Sequence, residues 1–206
     1  IISGMSLDEF FRERIFKPLG MQDTSFYLPT EKLDRFAAAY SPGKDRQIEL
    51  ADPATAKSKF VEEPHLYFMG SGGLISTAAD YFRFNQMMLN GGELDGARIL
   101  GRKTVELMTR NHTGDLPIWL TGPGSGFGLG YAVVMNADHI NTLTSNQPGP
   151  VPWSPGTHSW GGAFCTFSWI DPVERLTGIV MTQVRPYDHL MIRHDFVGLA
   201  YQAIVD

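Results

Sequence analysis

Two short stretches of the chain carry residue types from which a reactive site could be built. In 158-HSWGGAFCTFSWID-171 a histidine, a tryptophan and two glycines stand in front of an alternating run of strand character. Gly161 and Gly162 have no side chain to hold a ligand off the main chain. A substrate can therefore lie against bare backbone there, with the Trp160 ring as a wall and His158 at the rim. The same residues also fit a plainer arrangement, a core tryptophan beside a glycine bulge. The second stretch is Ser41-Pro42-Gly43-Lys44. On a helix, a serine and a lysine three residues apart share a face, and the amine can take the hydroxyl proton to make a nucleophile. Here Pro-Gly at the centre favours a turn, and Asp45 and Arg46 continue a polar loop, so a solvated turn is expected.

Other chemistries lack the spacing they need. The six histidines are dispersed, and His189 and His194, five apart, do not share a helix face as metal ligands four apart do. No phosphate-binding loop occurs, and 124-GSGFGLG-130 precedes a strand-like run where a dinucleotide fingerprint must open a helix. A Gly-x-Ser-x-Gly elbow is missing as well, since Ser71 follows Met69-Gly70 and Ser125 follows Pro123-Gly124. No metal and no cofactor are implied. The charge balance of 17 − 22 = −5, without a basic run, speaks against a nucleic-acid partner. No apolar run is long enough to cross a bilayer. Cys165 is the only cysteine, which fits a reducing compartment and favours the cytoplasm over the periplasm.

The elements that must position these residues can be followed along the chain. It opens on Ile1-Ile2-Ser3-Gly4 without a methionine, as a cut through a longer protein would, and Gly4 suits the left-handed position after a helix end. Ser6-Leu7-Asp8-Glu9 has capping-box spacing; Leu7, Phe10, Phe11 and Ile15 then predict a helix of about three turns, stopped at Pro18 and Gly20. From Asp23 to Phe68, polar and proline-bearing segments such as 41-SPGKDRQIELADPATAK-57 read as a long surface connection that walls a pocket, without regular core. In 70-GSGGLISTAADYFRFNQMMLNGG-92 a cap at Ser76 or Thr77 starts a helix that Gly91-Gly92 closes, its methionines serving as core filler. Ile99 to Met108 reads as a short helix and Gly126 to Met135 as a strand. Ala163 to Ile170 and Leu176 to Gln183 read as an antiparallel pair joined by 171-DPVER-175. Ile192, Phe196, Leu199, Ala200, Ala203 and Ile204 mark the face of a terminal helix that covers the sheet. The fold class is α+β, an antiparallel sheet flanked by helices, with about 1–120 mainly helix and loop and about 121–206 strands and a C-terminal helix.

Taken in order, SGMSLDEFFRERIFKPLGMQDTSF, GSGGLISTAADYFRFNQMMLNGGELDGARIL, GFGLGYAVV and SWGGAFCTFSWIDPVERLTGIVMTQ resemble the serine β-lactamase-related hydrolases. These comprise class C β-lactamases, D-alanyl-D-alanine carboxypeptidases and family VIII carboxylesterases. The resemblance runs over nearly the whole chain and implies a β-lactamase and penicillin-binding-protein-like fold with its N-terminal part missing. It also implies that the nucleophile, the serine of a Ser-x-x-Lys helix, and a Tyr-x-Asn or Tyr-Ser motif lie upstream of Ile1.

The family's third motif, usually Lys-Thr-Gly or His-x-Gly, maps onto Trp160-Gly161-Gly162. The resemblance implies that the acyl group lies against this strand edge, with the Ala163 backbone N–H joining that of the missing serine in an oxyanion hole. Trp160, Gly161 and Gly162 become the substrate-binding residues, with His158 beside them. Because Trp160 stands where a cation usually meets a carboxylate, esters are the expected substrates. The implied function is a carboxylesterase acting through an acyl-serine. The alternatives are a β-lactamase or D-alanyl peptide hydrolase, and a noncatalytic binding fragment or pseudoenzyme. The implied partners are a small-molecule ester or β-lactam-like substrate and the N-terminal half of the same protein.

Overall fold

The computed structural model of the chain describes residues 2–44, 47–58, 61, 68–116, 118, 123–136, 151–187 and 190–205. His189, Asp45 and Arg46 lie outside the described residues. The first helical run forms in three pieces: α1 (Leu7–Phe11), a π-helical turn (Arg12–Phe16) and α2 (Lys17–Leu19). Gly20 ends it in the left-handed conformation at φ 66°. The capping box expected at Ser6 does not form, since no side-chain bond caps this end. The wide π-turn resets which residues face inward, and Phe16 and Leu19 both become buried.

The following segment is more regular than its composition suggests. Thr30–Arg35 forms a 3-10 turn, and β1 (Ala39–Pro42) pairs antiparallel with β2 (Ile48–Asp52). Only Asp52 of β2 is buried, and Ile48 and Leu50, which alternate with Glu49, face solvent instead of a core. Ser41 lies on this hairpin opposite Glu49, and Lys44 sits in its turn, where its carbonyl accepts the Gln47 N–H at 3.0 Å. The pair is therefore on a strand and its turn, without a helical face to share.

Helix α3 (Ala78–Leu89) begins where Thr77 Oγ1 accepts the Asp80 N–H at 3.2 Å. Gly91 and Gly92 turn the chain after it, at φ 72° and 101°. A small hairpin, β3 (Glu93–Leu94) and β4 (Ala97–Arg98), leads into α4 (Arg102–Met108), which is shorter than predicted because Gly101 serves as its N-cap. The main sheet is antiparallel throughout, in the order β5 (Ser125–Phe127), β6 (Ala132–Val134), β7 (His158–Gly161), β8 (Phe167–Asp171) and β9 (Leu176–Val180). The strand predicted over 126–135 is thus a hairpin. The strand predicted from Ala163 starts only at Phe167, and Trp160-Gly161 belong to the end of a strand of their own. Helix α5 (Ile192–Gln202) closes the chain.

The sheet is covered on both faces. On one, Phe16, Leu19, Met87, Met88 and Val105 pack onto Tyr131 and Ile170. On the other, Val197 of α5 packs with Val134, Trp153, Phe167, Trp169 and Val180. Every residue of β8 is buried because alternate side chains enter different cores, Ile170 toward α3 and Phe167 and Trp169 toward α5. The α5 face differs from the predicted one: Arg193 and Val197 point inward, while Ile192, Phe196 and Leu199 remain 40%, 40% and 63% exposed. Two backbone carbonyls draw Arg193 inward, and this rotates the apolar stripe toward solvent. Among the described residues no helix is long and apolar enough to cross a membrane.

Candidate active site

Strand β6 pairs with β7 only at His158 and Ser159. Trp160 and Gly161 therefore run past its end, and one edge of β7 is open there. Beside this edge lies a cleft of about 710 Å³, lined by Tyr81 and Phe84 of α3, Trp160, Ser168 and the 161–164 backbone. Trp160 is paired with Ser168 on the neighbouring strand, so their side chains share a face. The Trp160 ring stands edge-on to Phe127 with centroids 5.0 Å apart and keeps 36% of its surface exposed. Burial pushes the Tyr81 phenol up from its ordinary pKa, partly offset by a hydrogen bond with Ser168, so the cleft floor is neutral at physiological pH.

The turn from β7 to β8 has its carbonyls held from behind. The Gly162 N–H donates to the Thr166 carbonyl at 2.8 Å, and the Phe164 carbonyl accepts from Thr182 Oγ1 at 2.9 Å and from the Val184 N–H at 3.2 Å. Arg193 Nη2 donates to the carbonyls of Gly162 and Thr166. Ala163 is exposed on the cleft, and its N–H donates to no described residue. A free backbone donor beside a strand edge is what a developing oxyanion requires.

Gly161 and Gly162 have an internal reason to be glycine that the sequence reading did not contain. A Cβ on Gly161 would lie 2.9 Å from both Nη1 and Nη2 of Arg193, and one on Gly162 would lie 2.2 Å from Thr166 Oγ1. A side chain at either position would therefore have to displace Arg193 or Thr166, whatever a ligand does. His158 is placed differently from the expected rim: it is buried, edge-on to Tyr131 at 5.2 Å, and its Nδ1 meets the Gly156 carbonyl at 3.1 Å. The Tyr131 ring packs against the imidazole, and His158 does not line the cleft. Burial pushes its pKa down, against the opposing pull of the Gly156 carbonyl and Asp171, which keeps it neutral.

The outer wall comes from the segment after α2. Ser25 bridges to Ile75, and Asp80 accepts the Asp23 N–H at 2.7 Å and the Thr24 hydroxyl at 2.8 Å, which ties the segment to the start of α3. At the rim Arg35 grips Asp23 through both guanidinium nitrogens, at 3.0 and 2.8 Å, and Lys32 reaches the same carboxylate at 2.8 Å. Arg35, then Lys32, hold the Asp23 carboxyl well below the usual carboxylate range. Among the described residues no three His, Cys, Asp or Glu side chains stand together as a metal site. Sequence reasoning missed Arg193, Tyr81 and Ser168 as parts of this site; only the helical spacing of Arg193, Val197, Ala200 and Tyr201 hinted that Arg193 faces inward.

The family model named beta-lactamase matches residues 2–202. The chain belongs to the beta-lactamase family. Its family is one of serine hydrolases, and the α+β, penicillin-binding-protein-like fold expected from the sequence is the one observed. Protein Rv1367c of Mycobacterium tuberculosis is 32% identical over 194 residues, covering 90% of this chain and 45% of that protein. A protein of Escherichia coli K12 provisionally named D-alanyl-D-alanine carboxypeptidase is 30% identical over 196 residues, covering 90% and 42%. Among solved structures, EstCE1, a hydrolase with promiscuous acyltransferase activity, is 25% identical with a TM-score of 0.75, covering 96% of this chain and 52% of that one. This beta-lactamase family chain therefore spans about half the length of the proteins it matches.

Proposed function

We propose that the protein carrying this chain is a carboxylesterase that works through an acyl-serine, with its Ser-x-x-Lys nucleophile upstream of residue 1. The serine oxygen attacks the ester carbonyl carbon, the carbonyl oxygen takes the negative charge, and the Ala163 N–H and the serine's own N–H receive it. The alkoxide leaves with a proton, and water then releases the acid and restores the serine. Trp160 carries this reading: at the cleft edge of β7 it presents a half-exposed apolar ring, packed on Phe127, where a carboxylate-bearing substrate would want a cation. The likeness to EstCE1 supports the same choice.

One observation favours a second reading, hydrolysis of a D-alanyl peptide or β-lactam. Lys32 and Arg35 both line the cleft beside their shared partner Asp23, which places two cations at the rim where a substrate carboxylate could meet them. Assay of the full-length protein separates the two. The esterase reading expects p-nitrophenyl esters to turn over faster than nitrocefin or a D-alanyl-D-alanine peptide, with fluorophosphonate labelling a serine outside this chain. The 206 residues alone are expected to take no label and hydrolyse nothing. Labelling of Ser41 overturns the placement of the nucleophile, and faster turnover of nitrocefin or the peptide selects the second reading. A full-length protein that binds but never turns over substrate is a pseudoenzyme.

A further inference from the structure

We propose that Arg193 positions the Ala163 N–H for catalysis, an inference that rests on the acyl hydrolase reading above. Arg193 stands in the first turn of α5, is 4% exposed, and approaches the sheet from the side opposite Trp160. Its Nη2 donates to the Gly162 carbonyl at 3.0 Å and to the Thr166 carbonyl at 2.9 Å, the two ends of the β7–β8 turn. The guanidinium lies over the rings of Tyr187 and Phe167, 4.2 and 5.4 Å from their centroids. Among the described residues no carboxylate pairs with it, and its buried Nε has no hydrogen-bond partner. A buried cation satisfied this incompletely is a poor device for stability, because a well-packed apolar side chain at the same place costs less desolvation.

The geometry gives it another use. A trans peptide is planar, so the Gly162 carbonyl and the Ala163 N–H point in opposite directions. Holding that carbonyl back toward α5 turns the Ala163 N–H forward, toward the cleft that Ala163 lines. The charge-assisted bond also draws electron density to the Gly162 oxygen and so makes the N–H of the same peptide a stronger donor. Gly161 completes the arrangement. With a Cβ only 2.9 Å from Nη1 and Nη2, any other residue there would push the guanidinium off the strand.

The test uses the full-length protein with p-nitrophenyl butyrate. Arg193→Met, which keeps the apolar stem and removes the donors, is expected to lower kcat about tenfold to a hundredfold while KM stays within about threefold. Arg193→Lys recovers part of the loss. Isotope-edited infrared spectra of the acyl-enzyme report the donor directly: the acyl carbonyl stretch moves to higher frequency in Arg193→Met, as its hydrogen bond weakens. Gly161→Ala, which displaces the guanidinium without deleting it, moves the stretch the same way and keeps the test open if Arg193→Met does not fold. Val197→Ala, in the same helix and core, lowers Tm and leaves the stretch in place. An active wild type whose Arg193 and Gly161 variants keep its kcat and its carbonyl stretch overturns the positioning role alone. A wild type inert to esters and fluorophosphonate overturns the acyl hydrolase reading and the positioning role with it.

Discussion

If Trp160 forms the wall of the ester pocket, replacing it with alanine in the full-length protein should penalise large substrates selectively. A tryptophan presents about 250 Å² of surface, so the 36% left exposed on Trp160 amounts to roughly 90 Å² available to a ligand. At about 25 cal/mol per Å², complete coverage is worth about 2 kcal/mol and half coverage about 1 kcal/mol. The ratio of kcat/KM for a bulky ester to that for an acetyl ester should therefore fall roughly sixfold to fortyfold in Trp160→Ala. The absolute rates are a poorer guide, because the edge-on contact with Phe127 is lost as well and costs about 0.5–1.5 kcal/mol of stability whatever the substrate. The assay is a series of p-nitrophenyl esters of increasing acyl length, each measured in both proteins at a temperature well below the lower Tm. Equal losses for short and long acyl groups, together with a lowered Tm, would show that the ring serves the fold and not the substrate, and the pocket assignment would fail.

Two further outcomes follow from buried titratable groups. His158 has its folded-state pKa pushed down by burial, so below the ordinary histidine value of about 6.5 the unfolded chain binds the proton more readily than the folded one. Stability should drop as pH is lowered through that value, and a pH series of Tm should be flatter over this window in His158→Leu. Asp171 is buried and accepts N–H bonds from Ser154, Val173 and Glu174 and the Tyr201 hydroxyl at 2.6 Å. Burial raises its pKa, but these bonds outweigh that and hold it low. Asp171→Asn, which turns an acceptor into a donor against them, should cost about 2–4 kcal/mol by urea denaturation, and Tyr201→Phe about 1.5–3 kcal/mol. Near-wild-type midpoints in both would show that the network adds little.

Much of the fold was legible because its signals are local. Thr77 and the Gly91-Gly92 pair bracket α3 within one stretch of chain, and the short 171–175 connection leaves β8 and β9 little choice but to pair. The ordered blocks around them were enough to mark the family. The β1–β2 hairpin was not legible, since the short alternation of Ile48, Glu49 and Leu50 sits in a polar, proline-bearing segment and its apolar side chains face solvent. The candidate site was legible in part: Trp160, Gly161, Gly162 and Ala163 do come together on the cleft, whereas His158, two positions before Trp160 on the same strand, is buried against Tyr131.

The sequence by itself determined the family, the antiparallel character of the C-terminal half and the position of the Trp-Gly-Gly motif, all of which depend on neighbouring residues and their order. Tertiary structure alone decided which way each of those residues faces. The register of β7 against β8 sets Trp160 beside Ser168, the short reach of β6 leaves that edge open, and Tyr131 buries His158. Arg193 turns inward because its donors find carbonyls 31 and 27 residues earlier in the chain. Helical spacing with Val197, Ala200 and Tyr201 gave only a hint of this, because a charged side chain is ordinarily expected to face water unless a partner far away in sequence satisfies it.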